Sequence, residues 1–245
     1  MNPIIPILFI ILSMEIIFNS LKVIAFDADD TLWDNETYFR EAEEQFVALL
    51  ENYLPPHSTL RALLKTEIDN LPLYGYGIKA FVLSMIETAI RETDHLLPLS
   101  AIDEIIHLGK TMLSKPVTLL EDVESVLASL SKKYKLVVAT KGDLLDQDRK
   151  LKKSGLAPYF HHIEIMTEKK EEDYQKLIRH LDIQPDQFMM VGNSLKSDVL
   201  PVLNIGGYGI HIPYHTTWAH EAIDVTIDNE RFFQKDKIAE LLNFL

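Results

Sequence analysis

Lys22-Val23-Ile24-Ala25-Phe26-Asp27-Ala28-Asp29-Asp30-Thr31 runs from an apolar stretch straight into a cluster of acids. The first half is short, apolar and rich in β-branched residues, the composition of a strand buried on both faces of a parallel sheet. The second half sets two carboxylates, Asp27 and Asp29, two residues apart on a strand-to-loop turn, where both can face one cavity. Such closeness costs repulsion unless a cation holds them, which is the electrostatic signature of a Mg²⁺ site. One carboxylate is then free to act as a nucleophile while the other moves a proton. The competing interpretation is a solvated acidic turn, and three aspartates directly after a buried strand weigh against it.

Outward from this stretch the pattern changes twice. A helical tract begins near Glu36, where Phe39, Ala42, Phe46, Val47, Leu50 and Leu54 make one apolar stripe at helical spacing. Segments 60–71, 78–90 and 101–113 continue in the same way, and Ser100 with Asp103 forms a capping-box-like start to the last. No strand signal appears between Asn35 and Thr118. Beyond it, helices at 122–130, 144–154, 172–181, 195–203 and 235–244 alternate with strands at 136–140, 163–166, 188–191 and 208–212. Regular alternation predicts an α/β fold, a doubly wound, Rossmann-like parallel sheet covered on both faces. The expected organisation is a core of residues 19–34 and 119–245, with an all-helical cap of residues 35–118 inserted after the first strand.

Ligands of such sheets bind at the carboxyl ends of the strands, and two more of those ends carry chemistry. Thr140-Lys141-Gly142-Asp143 follows an apolar strand with a hydroxyl and exposed backbone N–H groups, an anion cradle. A simple helix-capping turn is the plainer interpretation. Gly192-Asn193-Ser194-Leu195-Lys196-Ser197-Asp198 permits a tight turn and offers oxygen ligands from Asn193 and Asp198.

In order and spacing the set resembles the haloacid dehalogenase superfamily, most of whose members are phosphatases. Asp27-Ala28-Asp29-Asp30-Thr31 matches its first motif, Asp-x-Asp-x-Thr, and Thr140 its second. Lys169 looks like the third-motif lysine, with Lys170 as the fallback, and Gly192-Asn193 through Asp198 looks like the fourth. The resemblance covers about residues 22–212, with 35–118 in the place of the family's helical C1 cap. It implies that Asp27 attacks phosphorus, that Asp29 protonates the leaving alcohol and then activates water, and that Thr140, Lys141 and Lys169 hold phosphoryl oxygens beside Asp27. It also implies Mg²⁺ bound by Asp27, the backbone carbonyl of Asp29, Asn193 and Asp198. A carboxylate at Asp29 favours phosphate esters over halides, because a leaving halide needs no proton. Phosphonate cleavage is disfavoured, since Lys65 and Lys79 are only formal candidates for a Schiff base. The family usually has Asp where Asn193 stands, so a charge is missing from the fourth motif. The substrate implied is a small phosphate ester resembling a nucleotide, phosphoglycolate or a sugar phosphate. A phosphomutase, or a weakly active regulatory module of the same fold, is the alternative.

Composition sets outer bounds. The 245 residues carry 24 Lys+Arg against 37 Asp+Glu, a net charge of −13 that argues against a nucleic-acid partner. The absence of cysteine excludes disulfides, thiolate metal sites and a cysteine nucleophile, and fits a reducing, cytoplasmic setting. Residues 1–18 form an apolar extension interrupted by Pro3, Pro6 and Glu15, without the basic start and small-residue cleavage site of a signal peptide. The expectation is an extension ahead of the fold, with Met14 as an alternative initiator, rather than a membrane anchor. Tyr74 and Tyr76, in a loop with two glycines, are candidate specificity residues of the cap. His211 and His215 make an improbable metal pair across Pro213. His161 and His162 are expected in a solvated loop, residues 149–153 on a solvated helix face, and Trp33 in packing between cap and core.

Overall fold

The computed structural model describes residues 18–245. The apolar extension lies outside them except for its last residue. Phe18 belongs to the core, where its ring meets Tyr208, Phe233 and Phe244 edge-on at centroid distances of 5.1–5.8 Å.

Six parallel strands form one sheet: β1 (Val23–Phe26), β2 (Lys135–Lys141), β3 (His162–Met166), β4 (Phe188–Gly192), β5 (Tyr208–His211) and β6 (Phe232–Gln234), in the order β3-β2-β1-β4-β5-β6. The α/β doubly wound fold predicted from the alternation is the one observed. Alternate side chains of a strand point to opposite faces, and β1 shows the consequence. Ile24 and Phe26 pack with α5 (Val123–Leu130) and α9 (Leu241–Phe244), whereas Val23 and Ala25 pack with α7 (Glu171–His180) and α8 (Leu200–Asn204). Helix α6 (Leu144–Ser154) joins the first face through Leu151. Because β1 pairs with β2 on one side and β4 on the other, connections leave it in both directions, and the crevice at its carboxyl end is the expected ligand position.

Helices α1 (Glu36–Leu49), α2 (Pro56–Tyr74), α3 (Ile78–Glu92) and α4 (Leu99–Ser114) occupy the interval between β1 and α5. They bury a separate apolar cluster that includes Phe46, Leu63, Phe81, Met85 and Ile105. Asp30 ties this unit to the sheet: its carboxylate accepts the backbone N–H groups of Asn35 and Glu36 at 2.9 and 3.0 Å, capping α1 from outside the helix. That service holds Asp30 at φ 61°, a left-handed conformation costly for a residue with a side chain. Among the described residues no helix is long and apolar enough to cross a membrane.

Three local expectations are corrected. Helix α4 starts at Leu99 with Pro98 in the capping position, so Ser100 lies inside the first turn and its side chain caps nothing. The terminal helix is shorter than 235–244, because β6 pairs with β5 and Lys235 N–H still donates to His211 O at 2.9 Å; only a 3₁₀ turn at Ile238–Glu240 and α9 follow. His162 is not in a loop but opens β3, with Nε2 2.8 Å from Glu164 and its ring 4.9 Å from that of His180.

Candidate active site

At the carboxyl ends of β1, β2, β3 and β4 the structure assembles Asp27, Asp29, Thr140, Lys141, Lys169, Asn193 and Asp198 along a cavity of about 180 Å³. Asp27 is held by its own strand, its N–H donating to Val191 O at 2.9 Å. Lys169 enters from the turn before α7 and is fully buried. Its Nζ donates to Asp27 Oδ1 at 2.5 Å and Asp198 Oδ1 at 2.6 Å, one ammonium between two carboxylates. Lys170 is exposed and sits at the N-terminus of α7, so Lys169 is the lysine the site receives.

The segment after β4 is a single wide turn of π-helix, Leu195–Val199. Ser194 Oγ accepts the Ser197 N–H at 3.0 Å, Asp198 Oδ2 accepts the Ser194 N–H at 3.0 Å, and Tyr174 donates its hydroxyl to Ser197 O at 2.9 Å. Gly192 makes room for this fold-back, since a Cβ there would lie 2.2 Å from Asp198 Oδ2. Asn193 donates its N–H to Thr31 Oγ1 at 3.1 Å, and that hydroxyl lies 3.2 Å from Asn193 Oδ1 and 3.4 Å from Asp27 Oδ2. His211 donates Nε2–H to the Asn193 carbonyl at 3.0 Å, so it steadies this loop and is not part of a histidine pair.

Electrostatics follow the burial. Burial pushes the Asp27 carboxyl up to about 7; Lys169 opposes that shift and Asp198 adds to it. For Lys169 burial disfavours the charge, but Asp198 and Asp27 more than reverse this and hold the ammonium protonated. Burial likewise raises Asp30 to about 8, against the two backbone hydrogen bonds it accepts.

The Asp29 carboxylate is taken up by three donors. Trp33 Nε1–H (2.6 Å) and Lys150 Nζ (2.7 Å) reach Oδ1, and Gln147 Nε2 (2.8 Å) reaches Oδ2. Lys150 and Gln147 both come from α6; Lys150 lies in the stretch 149–153 read in the sequence as a solvated face, and Gln147 is not singled out there. Glu221 is a further residue that sequence reasoning missed. It pairs with Lys141 Nζ at 2.6 Å and accepts the Ser194 and Ser197 hydroxyls at 2.6 Å each. Burial would raise it, but Lys141 and the two hydroxyls outweigh that and hold it at about 2. No signal in the sequence marks Glu221, which lies in an irregular loop between β5 and β6.

Of the two loop tyrosines, Tyr76 lines the cavity: its ring lies 4.5 Å below Lys141 Nζ, its hydroxyl donates to Glu168 at 3.0 Å, and Trp218 meets it edge-on. Tyr74 does not line it. It ends α2 and donates its hydroxyl to Glu87 of α3, with much of the ring exposed. Lys79 pairs with Asp143 and Lys65 with Asp69 at the surface, and neither lines the cavity where a Schiff base would be needed. Trp33 is buried as well as bonded to Asp29.

The donor set for a cation is all oxygen: the Asp27 and Asp198 carboxylates and the Asn193 amide, hard ligands of the kind Mg²⁺ takes. With an amide at 193 and the Asp29 carboxylate engaged elsewhere, no group of three or more acidic or histidine side chains among the described residues forms a ready-made cage. A cation would have to draw its remaining ligands from backbone carbonyls and water, which is ordinary for Mg²⁺.

A buried aspartate at the end of the first strand and a lysine bridging it to a second acid set one site at the carboxyl edge of a doubly wound α/β sheet that carries a helical insertion. A family model described as haloacid dehalogenase-like hydrolase matches residues 21–206, and the chain belongs to that family. A solved haloacid dehalogenase-like family hydrolase from Xanthomonas campestris superposes with a TM-score of 0.82 and 37% identity, covering 92% of each chain. The N-acylneuraminate-9-phosphatase of Rattus norvegicus is 27% identical over 76% of this chain and 79% of its own length. The glyceraldehyde 3-phosphate phosphatase of Methanothermobacter thermautotrophicus is 28% identical over 84% of this chain and 95% of its own length.

Proposed function

We propose that this hydrolase is a Mg²⁺-dependent phosphatase that cleaves a small phosphate monoester through an aspartyl-phosphate on Asp27. The observation that carries the reading is the buried Lys169 ammonium between Asp27 and Asp198 at the floor of the cavity. There it neutralises a nucleophile and stands where phosphoryl oxygens would arrive. The phosphatases among the relatives support the same reading.

The floor carries Asp27, Asp29, Asp198 and Glu221 against Lys141, Lys150 and Lys169, a surplus of acid. A phosphate dianion does not approach such a floor without further positive charge. Mg²⁺ held by Asp27, the Asp29 carbonyl, Asn193 and Asp198 supplies that charge when bound. Asp27 Oδ then attacks phosphorus as the bond to the alcohol oxygen breaks, and Asp29 delivers a proton to that oxygen. In the second half Asp29 takes a proton from water, whose oxygen attacks phosphorus and releases Asp27 with inorganic phosphate. Thr140 and Lys169 hold the phosphoryl oxygens, with Lys141 beside them. Alignment and charge neutralisation are the main demands of phosphoryl transfer.

Helices α1–α4 serve as the cap over this floor, residues 35–118, with Tyr76 contributing to the choice of leaving group. A cytoplasmic setting is the one we propose, and the lack of cysteine fits it. The test is hydrolysis of 4-nitrophenyl phosphate by purified protein with Mg²⁺ and with EDTA. Turnover that requires the metal supports the reading; turnover indifferent to EDTA contradicts its metal dependence, and none with Mg²⁺ contradicts the phosphatase.

A further inference from the structure

The cavity has two chemically unlike ends. All of its lysines, Lys141, Lys150 and Lys169, come from the sheet side, where each is already paired with an acid. The wall built by α1, α2 and α3 presents Glu36, Glu43 and Glu67 beside Phe39, Phe81 and Ser84. The cation nearest to these acids, Arg40, is not part of the wall: its guanidinium is held by Glu36 and Glu43 at 2.7 Å each. Glu67 has neither a hydrogen bond nor an ion pair among the described residues. Burial together with Glu43 and Glu36 pushes its carboxyl up to about 8, and burial raises Glu36 to about 7 despite Arg40. Above about pH 8, where Glu67 and Glu36 are ionised, this wall therefore holds more acid than its single arginine offsets, and the Ser84 hydroxyl is the one side-chain donor that α1, α2 and α3 bring to it among the described residues.

We infer that the alcohol portion of the substrate bears hydrogen-bond donors, hydroxyl or ammonium groups, and no carboxylate or second phosphate, with Glu67 and Glu36 as the groups that recognise it. The inference rests on the phosphatase reading and on the direction it imposes. With the phosphoryl group at Asp27, the rest of the ester has the α1–α3 wall before it. Above about pH 8, with Glu67 and Glu36 ionised, a second anion meets like charge in a partly buried space that has no unpaired cation among the described residues. Buried polar groups left without partners on binding are what gives such a site its discrimination. A hydroxyl or ammonium donating to Glu67 supplies the partner that this side chain lacks, while Phe39 and Phe81 cover the carbon skeleton.

Phosphoglycolate and 2-hydroxyethyl phosphate differ only in a carboxylate for a hydroxymethyl group, and O-phosphoethanolamine places an ammonium at the same distance. The experiment measures kcat/KM for the three esters with Mg²⁺ at pH 9, where Glu67 and Glu36 are ionised, in the wild type, Glu67→Gln and Glu43→Gln, with 4-nitrophenyl phosphate as the control. The expected result is a preference of about tenfold or more for the hydroxyl and ammonium esters over phosphoglycolate. Both variants narrow it, Glu67→Gln by removing a carboxylate and Glu43→Gln by releasing one arm of Arg40. Hydrolysis of the control with no such preference, or a preference that neither variant changes, overturns this inference alone. A wild type that does not hydrolyse the control overturns the phosphatase reading as well.

Discussion

Lys169 places its ammonium nitrogen 2.5 Å from Oδ1 of Asp27, and both side chains are buried. With Asp198 on the other side, the three form one charge unit whose members depend on each other. Removing the cation alone leaves two buried carboxylates facing one another, a change that typically costs roughly 3–5 kcal/mol. Lys169→Met is expected to lose stability on that scale in urea unfolding and to lose hydrolysis altogether. Adding Asp27→Asn to it restores part of the stability and none of the activity. Equal stability of Lys169→Met and wild type would contradict the coupling.

The pH dependence of stability follows from four carboxyls. Asp27 and Glu36 are raised to about 7, and Asp30 and Glu67 to about 8, each chiefly by burial. The native state therefore keeps protons that the unfolded chain has already released. Stability from these groups is fully present below the ordinary carboxyl range and is lost as the pH rises through about 7 to 8. Glu221 has the opposite sign: held at about 2, its contribution is present above the ordinary glutamate value and fails only in strong acid. In EDTA the melting temperature is expected to fall between pH 5 and pH 8, read by circular dichroism. A rise over that interval would contradict the assignment.

Gly192 is required for space rather than for conformational freedom. An added methyl would sit 2.2 Å from Asp198 Oδ2 and 2.4 Å from its Cγ, inside contact distance of a side chain that also holds Lys169. Gly192→Ala is expected to lose about 1–3 kcal/mol of stability through overpacking. It should also weaken Mg²⁺ binding in a calorimetric titration, because Asp198 must move. Unchanged affinity would remove Asp198 from the cation site.

Trp33 and Lys150 share one oxygen of Asp29. Trp33→Phe keeps the packing and removes the N–H, while Lys150→Met removes the charge. Each is expected to lower kcat by about tenfold with little change in KM, since a loosely held acid–base group aligns less often. A change in KM alone would place both residues in substrate binding instead.

The strands and their loaded ends were legible because each signal is local. KVIAF precedes Asp27, an apolar run precedes Thr140, and another precedes Gly192, so the chemistry sits at or just beyond the end of a strand that the apolar run marks. The partners of Asp29 were not legible for the opposite reason. Gln147 and Lys150 lie 118 and 121 residues from it in sequence, on a helix whose charged residues read as a solvated face. Glu221 is in a loop without periodicity, and its role exists only because the fold brings it to Lys141. Strand β6, three residues long and at the sheet edge, is too short for alternation to reveal. Phe18 was assigned to the extension by its apolar neighbours, whereas three aromatic rings hold it in the core.

The central claim is that Asp27 carries the phosphoryl group. Acid quenching during turnover of acetyl phosphate with Mg²⁺, followed by mass spectrometry of the protein and its peptides, tests it most directly. The account predicts a mass gain of one phosphoryl group on the peptide containing Asp27, lost on hydroxylamine treatment and absent from Asp27→Asn. Continued turnover by Asp27→Asn, or a phosphoryl group trapped on another residue, would contradict it.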